Sequence, residues 1–267
     1  MRATLWLMTA MFGLLLLGCA AKDTRPTAEV RQVLAPTGKL RVGLYLGSPL
    51  SIMRDPASGE TNGVGFELGK EFARWLGVPF EPVVYPGNGE VLEALKSGIV
   101  DVAFTNATAA RAKDLDFTQP YLEMEAGFLV PHGSSITTFA DVDRPGVRVV
   151  VTEGSTSAAT LPRLLKNASV VRAPTINSGV ELLSLGKVDV FATNKTILFE
   201  MSDKLPGSRV LDGRYGVEQI ALGIPKGREL GMAYARRFVA AATSEGLVKS
   251  AAQRARLRGG TVKAASL

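Results

Sequence analysis

Two short segments of the chain end in the same polar pair, Thr-Asn. Residues 98–106 and 186–194 are identical at six of nine positions, and each runs from a glycine through an apolar stretch to that pair. An apolar helix pattern precedes both copies, so each is predicted to form a helix, a turn and a buried strand. Open α/β sheets bind ligands outside the carboxyl ends of their strands. We therefore expect Asn106 and Asn194 to face each other across a binding site. The alternative is that helix–turn–strand units look alike everywhere and that Asn merely ends the strand.

A further candidate lies where Gly154-Ser155-Thr156-Ser157 follows a predicted strand and opens a predicted helix. Backbone N–H groups at the start of a helix bind anions well. Thr152, Thr156 and Ser157 would add hydroxyl groups to such a site. Ser or Thr at this place also caps a helix, and the two roles are compatible.

Arg111 has the chemistry to hold a carboxylate. Its planar guanidinium can donate two parallel charge-assisted hydrogen bonds and keeps its charge. Arg111 stands in a polar stretch with Lys113 and Asp114. On composition alone, a solvent-facing arginine on a helix is the simpler interpretation.

The elements that must position these residues alternate between strand and helix patterns. Strands are predicted at 40–44, 79–85, 100–104, 147–151, 169–172 and 188–192, and helices at 66–76, 91–98, 156–165 and 179–185. Alternation of this kind implies parallel sheets covered by helices, which is an α/β fold.

The N-terminus has the pattern of an export signal. Arg2 precedes an apolar run that ends in Leu16-Leu17-Gly18-Cys19, and the run is short for a membrane-spanning helix. This ending resembles the bacterial lipobox, so we expect residues 1–18 to be a lipoprotein signal peptide and Cys19 to be lipidated. The alternatives are an ordinary signal with a chance cysteine, or an uncleaved anchor. Residues 19–37 are predicted to be a polar tether.

The composition excludes several classes of protein. The 267 residues are 46% hydrophobic and 21% charged, a globular balance that argues against disorder. One cysteine and one histidine exclude an internal disulfide and argue against a zinc site, so no metal or cofactor is expected. His132, between Pro131 and Gly133, is predicted to be a loop residue.

The charge of +6 comes without a long basic run, so no nucleic-acid partner is expected. The one local concentration of basic residues lies near the C-terminus. It is predicted to be a solvated tail, with weak attraction to anionic solutes or membrane surface as the alternative. Its members are Arg254, Arg256, Arg258 and Lys263.

An ordered set of short motifs runs from about Gly38 to about Leu257 and resembles bacterial extracellular solute-binding proteins of family 3, the amino-acid type. The motifs are Gly38-Lys39-Leu40-Arg41-Val42-Gly43, Gly65-Phe66-Glu67-Leu68, Leu95-Lys96-Ser97-Gly98, Thr108-Ala109-Ala110-Arg111, Asp116-Phe117-Thr118-Gln119-Pro120-Tyr121, Gly146-Val147-Arg148-Val149, Glu153-Gly154-Ser155-Thr156 and Gly223-Ile224-Pro225-Lys226-Gly227.

The resemblance implies the periplasmic-binding-protein type II fold. That fold has two lobes, each a mostly parallel sheet flanked by helices, and a hinge of two strands. Residues 38–128 and 221–267 would form the first lobe and residues 129–220 the second. The hinge crossings would lie near Gly127–Val130 and near Gln219–Leu222, and closure about them would bury the ligand.

The resemblance also assigns roles in the site. Arg111 matches the family's arginine that grips the ligand carboxylate, Asn106 falls where a small polar group touches it, and Thr156 corresponds to the contact from the second lobe. Thr152 and Ser157 flank that contact. Phe104 and Tyr45 complete the candidate ligand-binding set, although Phe104 stands where many members have a small or polar residue and the aromatic platform near Tyr45 is not obvious.

Asn194 departs from the family pattern. Amino-acid binders usually carry an Asp there, which pairs with the ligand's ammonium. The ligand of this chain would then lack an ammonium, or would bind it through another acid such as Glu218.

The implied function is that of the substrate-binding lipoprotein of an ABC-type importer. The chain would bind a small carboxylate-bearing solute, an amino acid or related organic acid, and would work as a monomer with an ABC permease. It would be periplasmic or on the cell surface, anchored to the membrane only through Cys19. The alternatives are a sensing or accessory lipoprotein of the same fold and an enzyme like the cyclohexadienyl dehydratases. No catalytic residue is expected, because Asn194 cannot donate a proton where those enzymes place an acid.

Overall fold

The computed structural model describes residues 25–54 and 58–264. Its helices are α1 (Ala28–Leu34), α2 (Val64–Leu76), α3 (Asn88–Lys96), α4 (Phe139–Val142), α5 (Thr156–Leu164), α6 (Ile176–Ser184), α7 (Lys195–Lys204), α8 (Glu229–Ser244) and α9 (Leu247–Arg254). Its strands are β1 (Leu40–Tyr45), β2 (Met53–Arg54), β3 (Thr61–Asn62), β4 (Phe80–Tyr85), β5 (Val102–Asn106), β6 (Leu115–Phe117), β7 (Leu122–Val130), β8 (Arg148–Thr152), β9 (Ser169–Ala173), β10 (Val190–Asn194), β11 (Arg209–Val210), β12 (Gly216–Pro225) and β13 (Gly260–Val262). One 3-10 turn spans Arg111–Lys113.

One mixed sheet runs through the described part of the protein. Its main path is β4-β1-β5-β12-β7-β10-β8-β9, and β6, β11 and β13 pair beside it. The strands β4, β1 and β5 are parallel, as are β10, β8 and β9. These two parallel groups with their covering helices confirm the predicted two-lobed α/β fold.

Two long antiparallel strands, β7 and β12, connect the groups. Residues 122–126 of β7 pair with residues 216–220 of β12, and residues 126–129 of β7 pair with β10. The strand β7 therefore changes partner at Ala126, which lies opposite Gly216. The strand β12 passes from β7 to β5 at Ile220, and the hinge positions expected from the sequence stay a prediction.

The buried hydrophobic side chains separate near these crossings. The largest cluster draws on residues 34–124 and 220–255, and two others draw on residues 128–211. The lobe boundaries after residues 128 and 220 stay a prediction, and the clusters divide close to them.

Each lobe repeats one ion-pair arrangement. In the first, Arg41 Nε and Nη2 donate to the two oxygens of Asp101 at 3.0 and 2.7 Å. In the second, Arg148 makes the same two bonds to Asp189 at 3.0 and 2.9 Å. Each arginine also donates to the carbonyl of the glycine that begins the repeated segment, at 2.9 Å. Asp101 therefore ties β1 to the start of β5, and Asp189 ties β8 to the start of β10.

The tether predicted for residues 19–37 is partly helical, which corrects that expectation. The helix α1 follows Thr27, whose hydroxyl accepts a hydrogen bond from the Val30 N–H at 3.2 Å. Leu34 is 0% exposed and packs on α8, where a Cβ added to Gly231 would lie 2.8 Å from it. A seven-residue helix offers too little periodicity to be recognised from sequence. The signal peptide and Cys19 lie outside the described residues.

The C-terminal basic residues do not form a solvated tail, so that prediction is wrong. Arg254 bonds Glu67 at 3.0 Å, Arg258 bonds Asp203 at 2.5 Å, and Lys263 bonds Glu123 at 2.7 Å. The strand β13 adds main-chain pairing to β7. Ion pairs with both lobes therefore hold this segment in place.

Within residues 25–54 and 58–264, no helix has the length and apolar character needed to cross a membrane.

Candidate ligand-binding cleft

A cavity of about 50 Å³ lies between the lobes, which is room for roughly four water molecules. Its walls come from the carboxyl ends of strands in both lobes. Both Thr-Asn pairs of the sequence repeat line it, as that repeat predicts. The lining residues are Tyr45, Leu50, Gly87, Asn88, Phe104, Thr105, Asn106, Arg111, Thr152, Ser155, Thr156, Ile176, Thr193, Asn194, Ile197, Glu218 and Ile220.

Seven of the eight residues named as ligand contacts from sequence line this cavity, and Ser157 is the exception. Its hydroxyl is 2.6 Å from the Tyr215 hydroxyl, and its side chain is buried in the second lobe. The reason is the helical rotation of about 100° per residue. Thr156 at the start of α5 faces the cleft, so the next residue turns toward the sheet. Ser157 is therefore corrected to a packing residue of the second lobe.

Arg111 lies in the 3-10 turn that follows β5 and reaches across the cleft. Its Nη1 donates to Thr105 Oγ1 and to the Asn106 carbonyl, both at 2.9 Å, and its Nη2 donates to the Gly154 carbonyl at 2.9 Å. Burial lowers the pKa of the guanidinium, and the negative charge of Glu218 opposes this shift. The acceptors within hydrogen-bond distance are neutral oxygens, so the positive charge has no direct anionic partner among them.

Glu218 brings a carboxylate into the cleft from β12. The residue is 7% exposed, and none of the ion pairs in the described residues includes it. Asn194 Nδ2 donates to its Oε2 at 3.4 Å, and the Thr156 hydroxyl is hydrogen-bonded to it. Burial raises the pKa of Glu218, while the positive charge of Arg111 and these two hydrogen bonds act in the opposite direction.

The two asparagines of the repeat bind protein groups on both sides of their amides. Asn194 Oδ1 accepts from the Ile197 N–H at 3.3 Å and so caps α7. Asn106 Oδ1 accepts from the Gln219 N–H at 2.7 Å, and its Nδ2 donates to Thr156 Oγ1 in the other lobe at 2.9 Å. Both amides therefore help to hold the walls of the cleft in position.

Gly154 is a point of close contact between the lobes. Its carbonyl accepts from Arg111 Nη2 at 2.9 Å and from Asn88 Nδ2 at 3.2 Å. Its φ is +69°, and a Cβ at this position would lie 2.4 Å from the Gly89 Cα. A residue without a side chain is needed here for the two backbones to meet.

One buried hydroxyl in the cleft has no hydrogen-bond partner in the described part of the chain. Thr152 Oγ1 is fully buried and unpaired, and Thr152 lines the cavity at the end of β8. The first turn of α5 begins nearby, with Ser155 as the N-cap that accepts from the Ala158 N–H at 3.1 Å. Unpaired groups of this kind are costly unless something binds them.

Sequence reasoning missed several lining residues. Asn88, Ile176, Ile197 and Ile220 were not identified, and Glu218 was raised only as a substitute acid. The strand-end rule was applied to three strands, whereas β4 and β9 also end at the cleft and lead into Asn88 and Ile176. Applying that rule to every parallel strand would have found these two.

The described residues contain no cluster of three or more metal-binding side chains.

Comparison with known proteins agrees with this architecture. Residues 40–254 match the model of the bacterial extracellular solute-binding proteins, family 3. The ABC transporter glutamine-binding protein of Bacillus subtilis is 26% identical over 229 residues, which is 79% of this chain and 82% of that protein. A crystal structure of the solute receptors for L-cysteine of Neisseria gonorrhoeae superposes with a TM-score of 0.75 at 24% identity, covering 85% of this chain and 92% of that one.

A shorter match of 113 residues, at 36% identity, links the chain to membrane-bound lytic murein transglycosylase F of Vibrio cholerae. It covers 42% of this chain and 20% of that enzyme. The match to the family model extends over most of the sequence, and the fold agrees with it. The chain belongs to the bacterial extracellular solute-binding proteins, family 3.

Proposed function

We propose that this protein binds an amino acid in the cleft between its lobes and presents it to the permease of an ABC-type importer. The observation that carries the proposal is the pair of opposite charges in the cleft, Arg111 and Glu218, which sit in one cavity without contacting each other as an ion pair. An amino acid is the small solute that carries both complementary charges. The glutamine-binding relative is consistent with this class of ligand.

In this proposal Arg111 binds the ligand carboxylate. Its bonds to Thr105 and Asn106 hold Nη1 of the planar guanidinium, so the N–H groups on Nε and Nη2 are the ones that a ligand would meet. The bond from Nη2 to the Gly154 carbonyl is an exchangeable contact between the lobes. A carboxylate would replace this neutral acceptor with a charge-assisted one, which is the stronger bond.

The unpaired Thr152 hydroxyl and the start of α5 would complete the carboxylate site from the second lobe. Contacts from both lobes to one ligand stabilise the closed form, because the ligand then binds that form more tightly than the open one. The strands β7 and β12 are the two connections about which such closure would occur.

The same proposal places the chain outside the cytoplasm, held at the membrane by a lipid on Cys19 and working as a monomer with its permease. The support is the sequence of residues 1–19 and the extracellular or periplasmic family. Replacement of Cys19 by Ser is expected to move the protein from the membrane fraction to the soluble fraction and to remove the mass of the lipid. An unchanged membrane fraction and mass would contradict the anchor.

We further propose that the chain acts as a binder and not as an enzyme. The transglycosylase relative shows that a related domain also occurs within enzymes. In this chain Asn194 stands where the dehydratases of the family place their acid, and an amide cannot serve as a proton donor of that kind. A sensor that uses the same cleft stays the alternative, and the absence of uptake in cells that have the permease would favour it.

The test is a ligand screen on the purified protein by thermal shift and calorimetry. Amino acids, their deaminated hydroxy and keto acids, and small dicarboxylates form the panel. A ligand at a hundred times its Kd adds about 2.7 kcal/mol to the free energy of unfolding, which raises Tm by roughly 5–10 °C in a protein of this size. No shift with any amino acid would contradict the proposed function.

The variant Arg111→Ala sharpens this test. Loss of the charge that faces the carboxylate is expected to weaken binding by about a hundredfold or more. Arg74 provides the matched control, since it lies exposed on α2 and pairs with Glu71. Arg74→Ala should bind as the parent does, and near-parental affinity of Arg111→Ala would exclude the carboxylate role.

A further inference from the structure

The cavity has two charged lining residues, and they lie on different elements. Arg111 follows β5 in the first lobe, and Glu218 lies on β12, one of the two strands that connect the lobes. Every other lining residue is neutral. The charges available to a ligand in this cavity are therefore one cation and one anion.

Asn194 is a poorer partner for an ammonium than the Asp usual at this position, because its amide carries no charge. Its Oδ1 accepts from the Ile197 N–H, and its Nδ2 is directed at Glu218. Its Nδ2 cannot serve an ammonium, which has only hydrogens to donate, and its Oδ1 is already engaged in the cap of α7.

Glu218 can accept more hydrogen bonds than it receives in this structure. A carboxylate offers about four lone-pair sites, and the contacts seen here are those from Asn194 and Thr156. Both neighbours are neutral donors that orient the carboxylate. Neither supplies a positive charge, and Glu218 has no ion-pair partner in the described residues. Arg111 acts on Glu218 without forming an ion pair with it, so a cation in direct contact would further stabilise this buried carboxylate.

We propose that Glu218 receives the ammonium group of the ligand, and that the ligand is a small α-amino acid with an uncharged side chain. This rests on the proposed function. It moves the ammonium contact from the end of β10 to the connecting strand β12.

The size and charge of the ligand's side chain follow from the other residues that line the cavity. When Arg111 takes the carboxylate and Glu218 the ammonium, no charged residue of the cavity is left for a third charge. A side chain such as that of arginine, lysine or glutamate would lose its hydration without a partner. The apolar lining is supplied by Leu50, Phe104, Ile176, Ile197 and Ile220. The cavity, with room for roughly four water molecules, must hold the whole ligand, which favours small amino acids such as alanine, serine and cysteine.

The experiment is calorimetry of the purified protein with alanine, serine and cysteine. Lactate and pyruvate are the matched acids that lack the ammonium. Arginine, lysine and glutamate are the amino acids with charged side chains. Glu218→Gln keeps the shape of the side chain and removes its charge. We expect this variant to lose about tenfold to a hundredfold in affinity for alanine, while its affinity for lactate is unchanged or higher. Glu60→Gln, at an exposed glutamate that does not line the cavity, should match the parent for every ligand.

A second variant distinguishes the loss of the ammonium contact from a general loss of cleft structure. Adding Asn194→Asp to Glu218→Gln returns an acid to the end of β10 without losing the N-cap, because Asp caps a helix as well as Asn does. Recovery of alanine binding in this double variant would support the proposal, since a merely unfolded or misshapen cleft would not be rescued.

The outcomes are distinguishable. If the parent binds alanine and Glu218→Gln binds it equally well, Glu218 is not the ammonium acceptor, and the proposed function stands. If the parent binds arginine, lysine or glutamate more tightly than alanine, the uncharged side chain is wrong. If the parent binds no amino acid at all, both the proposed function and this inference are overturned.

Discussion

The carboxylate of Glu218 lies in the cleft with two neutral donors, Asn194 and Thr156, and with Arg111, Tyr45 and Tyr215 as the titratable groups near it. Burial raises its pKa. An acid whose pKa is raised on folding favours the neutral form in the folded protein. Its effect on stability is most favourable below the unfolded pKa of about 4.5 and is lost as pH rises through the folded pKa.

The expected stability of Glu218→Gln follows from the direction of this pKa shift. Near neutral pH the amide avoids the cost of a buried negative charge, so Tm measured without amino acid should rise by about 2–4 °C, which corresponds to roughly 1 kcal/mol at this size. The gain should shrink at acidic pH, where Glu218 itself becomes neutral. Thermal melts across that range measure the effect. A variant less stable than the parent at every pH would show that Glu218 is a structural residue.

At the scale of the element, Gly154 decides how closely the start of α5 approaches the first lobe. A methyl group at this position meets the Gly89 backbone at 2.4 Å and cannot be accommodated without separating the lobes. We expect Gly154→Ala to reduce ligand affinity by about tenfold or more, because the closed form becomes less populated. Calorimetry with the best ligand of the screen measures the loss.

Gly146→Ala is the matched control for that change. Gly146 also has a positive φ, +86°, and a Cβ there would have no atom within 4 Å. Both variants carry the strain of a left-handed alanine, of about 1 kcal/mol, and Gly154→Ala alone carries the clash. Equal affinities for the two variants would mean that the Gly154 contact plays no part in closure.

The sequence predicted regular elements more accurately than the side-chain roles at their ends. The helix α2 and the strand β10 lie within two residues of their predicted positions, since apolar periodicity and a following glycine mark such elements. Ser157 was misplaced because a contact inferred for one helical residue does not extend to the next. The cap formed by Asn194 was missed because an Asn that ends a strand and an Asn that begins a helix look the same in sequence.

Glu218 illustrates why the remainder of the site could not be predicted. Its neighbours along the chain, Val217 and Gln219, give no sign of a cleft. Only the pairing of β12 with β7 and β5 brings Glu218 beside Asn194 and Arg111, which are 24 and 107 residues away in sequence. Contacts of this range depend on sheet order, which local patterns do not contain.

At the scale of the whole molecule, each lobe depends on its own copy of the arginine–aspartate pair, and the copies differ in exposure. The Asp101 side chain is 0% exposed and also lies 3.6 Å from Arg228, whereas the Asp189 side chain is 35% exposed. Removing one partner of a buried pair leaves an uncompensated charge, and an exposed pair contributes little.

We therefore expect Asp101→Asn to lower the free energy of unfolding by about 3 kcal/mol and Asp189→Asn by about 1 kcal/mol or less. Each variant is the control for the other, because the hydrogen-bond pattern is the same. Denaturant unfolding of the two proteins measures the difference. Equal losses would show that burial does not set the strength of these pairs.

The partner exchange of β7 at Ala126, opposite Gly216, has a mechanical consequence. In the proposed closure the lobes rotate about the strands that connect them, and a residue near the axis of a rotation moves little. Glu218 lies two residues from the partner exchange. Gly154 lies outside these two strands and would travel further for a rotation about them. In the proposed closure about β7 and β12, an ammonium held by Glu218 would stay nearly stationary while the lobes open, and the carboxylate end would be the first to lose its contacts.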